Sequence, residues 1–328
     1  MTPVAAPQAG WRSLEPRRTV STPVLERIVD TAFPRRRVVE IQPLTEGLRN
    51  ANFKLRLDST PESIVLRIYE HDASLCQKEV DLLRLVDGSV PVPKLLYAEP
   101  RGYPDLPPFI LTRYVEGISF LVLKRSGDTD AIAQAAYSAG QTLAAIGRVA
   151  FPKAGWLAPG LAVTAPLFEG EDPAPRFVDR CLDSANLQRR MPAELRERTR
   201  ALMWAWAPQL AGLKGQAHLV HDDFSRRNLL VQRIAGRWSV CAVLDWEFAI
   251  SGSPMGDVDS FLRYERASRP LAEPHFSAGY LDAGGTLPRD WRQLGRLLGL
   301  TTLCESLTRD QHRCAGTGRT RSGDRRRW

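Results

Sequence analysis

The sequence predicts an α+β protein of two lobes: a small antiparallel sheet carrying one helix, then a larger and mostly helical half. Three observations predict it. Five short strand-like runs crowd into residues 38–115, punctuated by turn residues and by one stretch of helical period. From about residue 128 the apolar spacing changes to that of helices and returns to strand spacing only in one hairpin. The chain has 328 residues, 43% of them hydrophobic, which suits one large domain or two lobes around a sizeable core.

Taken in order, residues 1–20, with their Pro and Ala, read as a flexible lead. Thr22-Pro23 opens a helix, since Pro is tolerated in a first turn, and Val24, Leu25, Ile28 and Val29 give that helix an apolar face. VVEIQPL (38–44), NFKLRLD (52–58) and SIVLRIYE (63–70) read as strands. The segment TEGLRNANF (45–53) joins the first two. Gly47 permits tight backbone geometry, Asn50 and Asn52 suit a turn, and such a loop is a plain hairpin connection or a cover over phosphates.

A helix is expected at 73–86 and further strands at PKLLYAE (93–99) and FILTRYV (109–115). The change of pattern at Glu116-Gly117 sets the expected division: 21–116 as a nucleotide-binding lobe and 117–308 as a catalytic and acceptor-binding lobe. In the second lobe 129–149, 176–190 and 193–211 read as helices, with a turn-rich connector at 151–160. LLV (229–231) and VCAVL (240–244) form a hairpin about Ala235-Gly236-Arg237, and 255–266, 271–281 and 290–309 are again helical. Residues 309–328 read as a basic, disordered tail.

Bulk properties exclude several classes. The net charge of +8 is concentrated at the end, where residues 309–328 hold seven Arg and two Asp, so a basic stripe on a folded surface is not indicated and nucleic-acid binding is not expected. No apolar run reaches the roughly 18–20 residues of a membrane span, and the start lacks the basic segment and apolar block of a secretory signal. The five cysteines are scattered, without CxxC spacing, which favours reduced thiols and a cytoplasmic location. Nothing in the sequence sets the oligomeric state.

Two constellations carry chemistry. Asp223 and Asn228 sit in HDDFSRRNLLV (221–231), and Asp245 ends the second strand of the hairpin. Folding the hairpin brings Asn228 and Asp245 to the same end, within a residue or two of register. Two oxygen ligands for a hard cation thus converge beside a carboxylate able to accept a hydroxyl proton, which is what phosphoryl transfer requires. The second constellation is Arg67 and Glu79. Glu79 falls on the apolar stripe of its helix, with Leu75 and Leu83, where a carboxylate needs a partner. Arg67, amid the apolar strand VLRIY, is the natural one, and an Arg so held is placed to bind nucleotide phosphates.

The neighbours of Asp223 have readings of their own. His221 is expected to brace the loop rather than act as a base, since Asp223 fills that role. Asp222 points the other way in an extended segment, toward solvent or toward substrate. Arg226 and Arg227 are either solvated or set to neutralise a transferring phosphoryl group. Asp257 and Asp259 open a helix, where carboxylates compensate the dipole; here they also stand to brace the loop or face a cationic acceptor.

Together these residues resemble the aminoglycoside phosphotransferase and choline kinase family, which has a protein-kinase-like fold. HDDFSRRNLL is similar to its H-G-D-x-x-x-x-N-L-L loop, LDWE (244–247) to its metal-binding strand, EVDLLRLVDGSVPVPKLL (79–96) to its helix glutamate and V-P-V-P entry, PFILTRYVEG (108–117) to its hinge, and GSPMGDVDSFLRY (252–264) to the segment after the metal site. The resemblance covers about residues 40–308.

It implies ATP (or GTP) and Mg2+ as cofactors, Asp223 as catalytic base, Asn228 and Asp245 as magnesium ligands, and Glu79 as partner of the phosphate-binding Arg67. The purine is expected on the hinge at Arg113, Tyr114 and Val115, and the small-molecule acceptor on 160–215 and 255–305. An aminoglycoside acceptor is a polycation, for which Asp222, Glu247, Asp257, Asp259 and Glu265 are the candidate carboxylates. Other acceptors (a macrolide, a nucleoside antibiotic, choline, an amino sugar) and a nucleotide-binding pseudokinase are the alternatives. The chain departs from the pattern with Arg67 where kinases commonly carry Lys, Asp222 where the family commonly has Gly, and an end after Arg309 unlike the usual closing helix.

Overall fold

A computed structural model describes residues 21–44, 50–58, 62–70, 72–104, 106–168, 170–267 and 269–309. The expected lead at 1–20, the tail from 310 and the phosphate-loop candidate Gly47 lie outside the described residues.

Helix α1 (Thr22–Ala32) starts at the predicted Pro and buries Leu25, Ile28 and Val29. The strands β1 (Val38–Leu44), β2 (Ala51–Leu57) and β3 (Ser63–Ile68) follow, then helix α2 (Ala73–Val86), then β4 (Leu95–Glu99) and β5 (Phe109–Arg113). They form one antiparallel sheet in the order β1-β2-β3-β5-β4. Period-two alternation decides what each face carries. Ile64, Leu66 and Ile68 of β3 join Leu25, Ile28, Val29, Leu55, Phe109 and Leu111 in a core beneath α1. Arg67 is therefore sent to the opposite face, the face that α2 covers. Asp72 caps α2 by accepting the Ser74 amide at 3.0 Å.

The second half opens with β6 (Ile118–Ser119), α3 (Phe120–Ser126) and α4 (Thr129–Gly147). The turn-rich connector contains β7 (Gly155–Leu157) and β8 (Val163–Ala165), each of three residues and too short for an alternation signal. The helix expected at 176–190 is two, α5 (Pro173–Leu182) and α6 (Ala185–Arg190), because Ser184 caps a new start by accepting the Leu187 amide. The one expected at 193–211 is α7 (Ala193–Ala205) and α8 (Ala207–Ala211), broken where Pro208 disfavours helical backbone before it.

Then come β9 (His218–Val220), the hairpin β10 (Leu229–Ile234) and β11 (Arg237–Val243), β12 (Ile250–Gly252), α9 (Met255–Leu262), α10 (His275–Asp282) and α11 (Trp291–Thr308). β11-β10-β6 and β8-β7-β12-β9 make two small sheets.

Two packing features matter later. β11 is an edge strand, and α4 lies along it: Gln134 accepts the Trp238 amide at 2.9 Å and Ser138 the Val240 amide at 3.0 Å. α4 also crosses α10 at van der Waals range, where a Cβ on Gly140 would stand 2.1 Å from the Phe276 carbonyl and one on Gly279 would stand 2.0 Å from the Tyr137 carbonyl. The largest core joins both halves: Cys76, Val80, Leu83 and Val86 of α2 share it with Phe120, Phe224, Leu229, Trp246 and Phe261.

Candidate active site

The floor of the site is built by the hairpin and the loop before it. β10 and β11 pair with Leu229 opposite Val243, and the Leu244 amide donates to the Asn228 carbonyl at 2.8 Å. Asn228 and the residue after Leu244 are therefore neighbours, as the turn at Ala235-Gly236 requires. Asp245 has a left-handed backbone (φ 70°), which turns the chain sharply out of the strand. Asn228 donates its Nδ2 to the Asp223 carboxylate at 2.8 Å and to the Asp223 carbonyl at 3.0 Å. Asp245 is near enough to Asp223 to act on its charge. The structure thus brings Asp223, Asn228 and Asp245 to one place.

The ordered loop has internal supports. Asp257 is fully buried at the start of α9 and accepts the backbone amides of His221 at 2.7 Å and Asp222 at 2.9 Å. His221 is buried too: its Nε2 faces the Leu244 carbonyl at 2.9 Å, its Nδ1 faces the Asp223 amide at 3.3 Å, and its ring lies against Trp246. Burial lowers the imidazole to about 4, so the ring is neutral near pH 7. Burial raises the carboxyls of the loop: Asp223 to about 6, with the Asn228 bond opposing and Asp245 adding to the rise, and Asp257 to about 8. Asp222 goes to about 7, through burial and then through the negative charges of Glu305 and Asp223. Its φ of 64° is the left-handed geometry that glycine adopts without penalty, which is the physical content of finding Asp where the family pattern has Gly.

Arg67 forms the other wall. Its Nη2 pairs with the Asp245 carboxylate and lies 3.4 Å from Glu247, and its Nε lies 3.3 Å from Glu79. Tyr69, which the sequence reading did not single out, donates its hydroxyl to the same Glu79 oxygen. Burial pushes the Glu79 carboxyl up, and the Arg67 guanidinium opposes that rise. Asn50 donates to Glu247 at 2.9 Å, and Lys78, also unforeseen, donates to the Glu247 carbonyl at 3.0 Å. The hinge residues are partly committed to the sheet: the Arg113 amide donates to Lys94 at 2.8 Å and the Tyr114 amide to Ser63 at 3.0 Å. Lys54 sits 3.7 Å over the Tyr114 ring.

Several carboxylates expected to face an acceptor do not. Glu247 is 3% exposed and spent on Arg67 and Asn50, because the turn at Asp245 swings it toward β3. Asp259 is paired with Arg263 at 2.9 Å and covered by α11, whose Gly299 leaves no room for a Cβ beside it. Glu265 is buried, takes Arg226 and the Ala272 and Glu273 amides, and lies 3.8 Å from Lys124. That pairing fits neither reading of Arg226, which is a buried brace spent on Glu265, whereas Arg227 is exposed.

The donor set suits magnesium. Asn228 spends its amide nitrogen on Asp223, so its oxygen is the atom left to ligate, and with the Asp245 carboxylate it offers only hard oxygen donors. The buried Arg67 Nε lacks an aligned hydrogen-bond acceptor despite its nearness to Glu79, consistent with a guanidinium whose final partners arrive with a ligand.

Comparison with known proteins gives the family and the fold. The profile of the phosphotransferase enzyme family matches residues 40–297. No curated protein sequence matches the chain. Among solved structures, the chain is similar to a thermostable mutant of aminoglycoside phosphotransferase APH(4)-Ia in ternary complex with AMP-PNP and hygromycin B (TM-score 0.60, 20% identity, 86% of this chain and 90% of that one). It is also similar to the GDP complex of a mutant aminoglycoside 2'-phosphotransferase-IIIa (TM-score 0.65, 18% identity, 86% and 87%). A third is the GDP and kanamycin complex of APH(2")-IIIa (TM-score 0.63, 19% identity, 86% and 89%). These likenesses show the protein-kinase-like fold.

Proposed function

The chain belongs to the phosphotransferase enzyme family, and from that premise we propose that it transfers the γ-phosphoryl group of ATP or GTP to a hydroxyl of a small molecule of the aminoglycoside-antibiotic type, in the cytoplasm. The observation that carries this reading is the direct contact of Asp223 with Asn228, with Asp245 alongside and linked to Arg67.

Each residue has a role in it. Asp223 orients the acceptor hydroxyl and takes its proton on a carboxylate oxygen, and Asn228 holds that carboxylate in place. Arg67, steadied by Glu79, binds nucleotide phosphates; its fork suits two oxygens at once, which a lysine does not match. Asn228 and Asp245 would hold Mg2+, which when bound neutralises charge on the phosphates. His221 and Asp257 keep the loop in shape, and Asn50 serves the nucleotide side through its bond to Glu247. The hinge around Arg113, Tyr114 and Val115 receives the purine, Val115 carrying, among the described residues, no backbone bond of the kind that ties the two residues before it. The lobes divide near residue 116.

The test is ADP (or GDP) release and phosphoacceptor mass with a panel of hydroxyl compounds, with and without magnesium. Acceptor-dependent release is expected with the intact protein, and Asp223→Asn is expected to lower it by roughly 10²–10⁴-fold. Unchanged turnover in that variant refutes the base assignment.

A further inference from the structure

We infer that Glu265 is a positioning residue for phosphoryl transfer, a role that rests on the transferase reading above. Through its buried pair with Arg226 it fixes the crest of the loop that runs from Asp223 to Asn228, and so the direction of the Asp223 carboxylate.

The loop is closed on itself. The Ser225 amide donates to the Asp223 carbonyl at 2.7 Å, the Asn228 amide to the Ser225 carbonyl at 3.0 Å, and the Asn228 side chain to both the carbonyl and the carboxylate of Asp223. A displacement of its middle therefore moves both ends, and that middle is Arg226. Asp257 steadies only the approach to Asp223, since the amides it takes are those of His221 and Asp222. The crest is held otherwise. Arg226 points inward, its guanidinium 5.5 Å over the Phe261 ring, and its carbonyl accepts the Leu121 amide at 2.9 Å. Its Nη2 pairs with Glu265, while its buried Nε has no hydrogen-bond partner among the described residues. One carboxylate thus decides where the guanidinium sits.

Glu265 is itself fixed from several sides. It follows α9 in a single 3-10 turn (Glu265–Ala267), and one of its oxygens accepts the amides of Ala272 and, at 3.1 Å, Glu273, at the entry to α10. The other meets Arg226 and lies 3.8 Å from the ammonium of Lys124, which comes from α3 and donates to the Pro270 carbonyl. Arg226, Glu265 and Lys124 are all buried, so two cations share one anion out of water. Such a cluster is a poor source of stability, because apolar side chains of similar volume in its place are often neutral or stabilising. What it supplies is direction: its members accept few arrangements, and each comes from a different element. Without the Glu265 carboxylate, Arg226 and Lys124 repel one another, and Arg226 is driven toward solvent, carrying the crest with it.

The experiment separates position from stability. Glu265→Gln leaves two buried cations without an anion. Arg226→Met leaves Glu265 with Lys124 alone, a balanced pair, so it is the variant that keeps the fold. Acceptor-dependent ADP or GDP release and thermal unfolding are measured for both, in the intact protein and in the Asp223→Asn background. A misplaced base is expected to lower kcat by roughly 10–100-fold in each variant, with the KM for nucleotide and for acceptor little changed. Because the effect runs through Asp223, the same substitutions are expected to cost less than about twofold once that carboxylate is gone. A merely structural lesion lowers turnover by the same factor in both backgrounds. A kcat for Arg226→Met within about twofold of the parent, or an equal loss in the two backgrounds, overturns the inference while leaving phosphoryl transfer standing. Failure of Arg226→Met to fold overturns it too, since the pair then serves stability. Absence of acceptor-dependent release from the intact protein overturns the transferase reading and the role of Glu265 together.

Discussion

At the scale of single residues, the active-site loop is a set of carboxyls buried without enough cations to balance them. Asp223, Asp222 and Asp257 rise to about 6, 7 and 8, chiefly through burial. In the unfolded chain they release their protons near pH 4. Between those limits the native protein binds more protons than the unfolded chain, so these groups stabilise most below their unfolded values and lose that contribution as pH rises through about 6–8. His221 acts in the opposite sense: lowered to about 4, it favours the native state above its unfolded value and loses that contribution as pH falls toward 4. Above pH 7 the histidine contribution is already constant. The melting temperature in magnesium-free buffer is therefore expected to fall between about pH 6.5 and 8.5, and Asp257→Asn is expected to flatten the slope whatever it does to the absolute value. A rising melting temperature over that range contradicts the assignment.

At the scale of elements, the tightest constraint is the crossing of α4 over α10. Gly140 and Gly279 let the backbones meet, and a methyl at 140 would collide with the Phe276 carbonyl at 2.1 Å. Gly140→Ala is expected to cost about 1–3 kcal/mol by forcing the helices apart, or ~2–4 °C in Tm for each kcal/mol in a domain of this size class. Thermal unfolding measures it, and a melting temperature within a degree of the parent would show that the helices slide without penalty.

Much of this level was legible beforehand for identifiable reasons. α2 lies where the sequence places a helix, at about 73–86, because its apolar period is uninterrupted; the Asp72 cap that fixes its start was not singled out in the sequence. The hairpin followed from Ala235-Gly236 between two apolar runs, and with it the meeting of Asn228 and Asp245. Glu79 announced its partner by sitting on an apolar stripe. What was not legible depends on backbone angles and long-range contact. The positive φ at Asp245 redirects Glu247 toward Arg67, and the contact of Asn50 with Glu247 joins residues far apart in the chain; neither leaves a local spacing. Three-residue strands such as β7 and β8 exist only through their pairing. Tyr69 and Lys78 could have been suspected, a tyrosine ending the strand of Arg67 and a lysine adjoining Glu79, but their targets could not.

At the scale of the whole molecule, the two halves are joined through more than the chain at residue 117. Glu247 takes Asn50 and Arg67 from the sheet side, Lys78 reaches the Glu247 carbonyl, Asp81 of α2 accepts the Gly160 amide at 2.7 Å, and the Val243 amide donates to Pro91 at 2.8 Å. α2 is thereby held to the larger half at several points, and Glu79 with it. A nucleotide binding between the halves draws on both, so magnesium with ATP or GTP at about 100-fold above Kd is expected to stabilise the native state by ~2.7 kcal/mol. Asp245→Asn is expected to remove the magnesium-dependent part of that gain. Differential scanning fluorimetry of the two proteins, with nucleotide alone and with nucleotide plus magnesium, checks it; an equal magnesium increment in both would exclude Asp245 as a ligand.

The seam between α4 and β11 has a further consequence. An outer ladder strand normally offers a row of bare amides on which a neighbouring molecule can crystallise its own strand. Gln134 and Ser138 occupy two of those amides from within the same chain. The hairpin between Asn228 and Asp245 is thus partly shielded against templated stacking in a crowded solution.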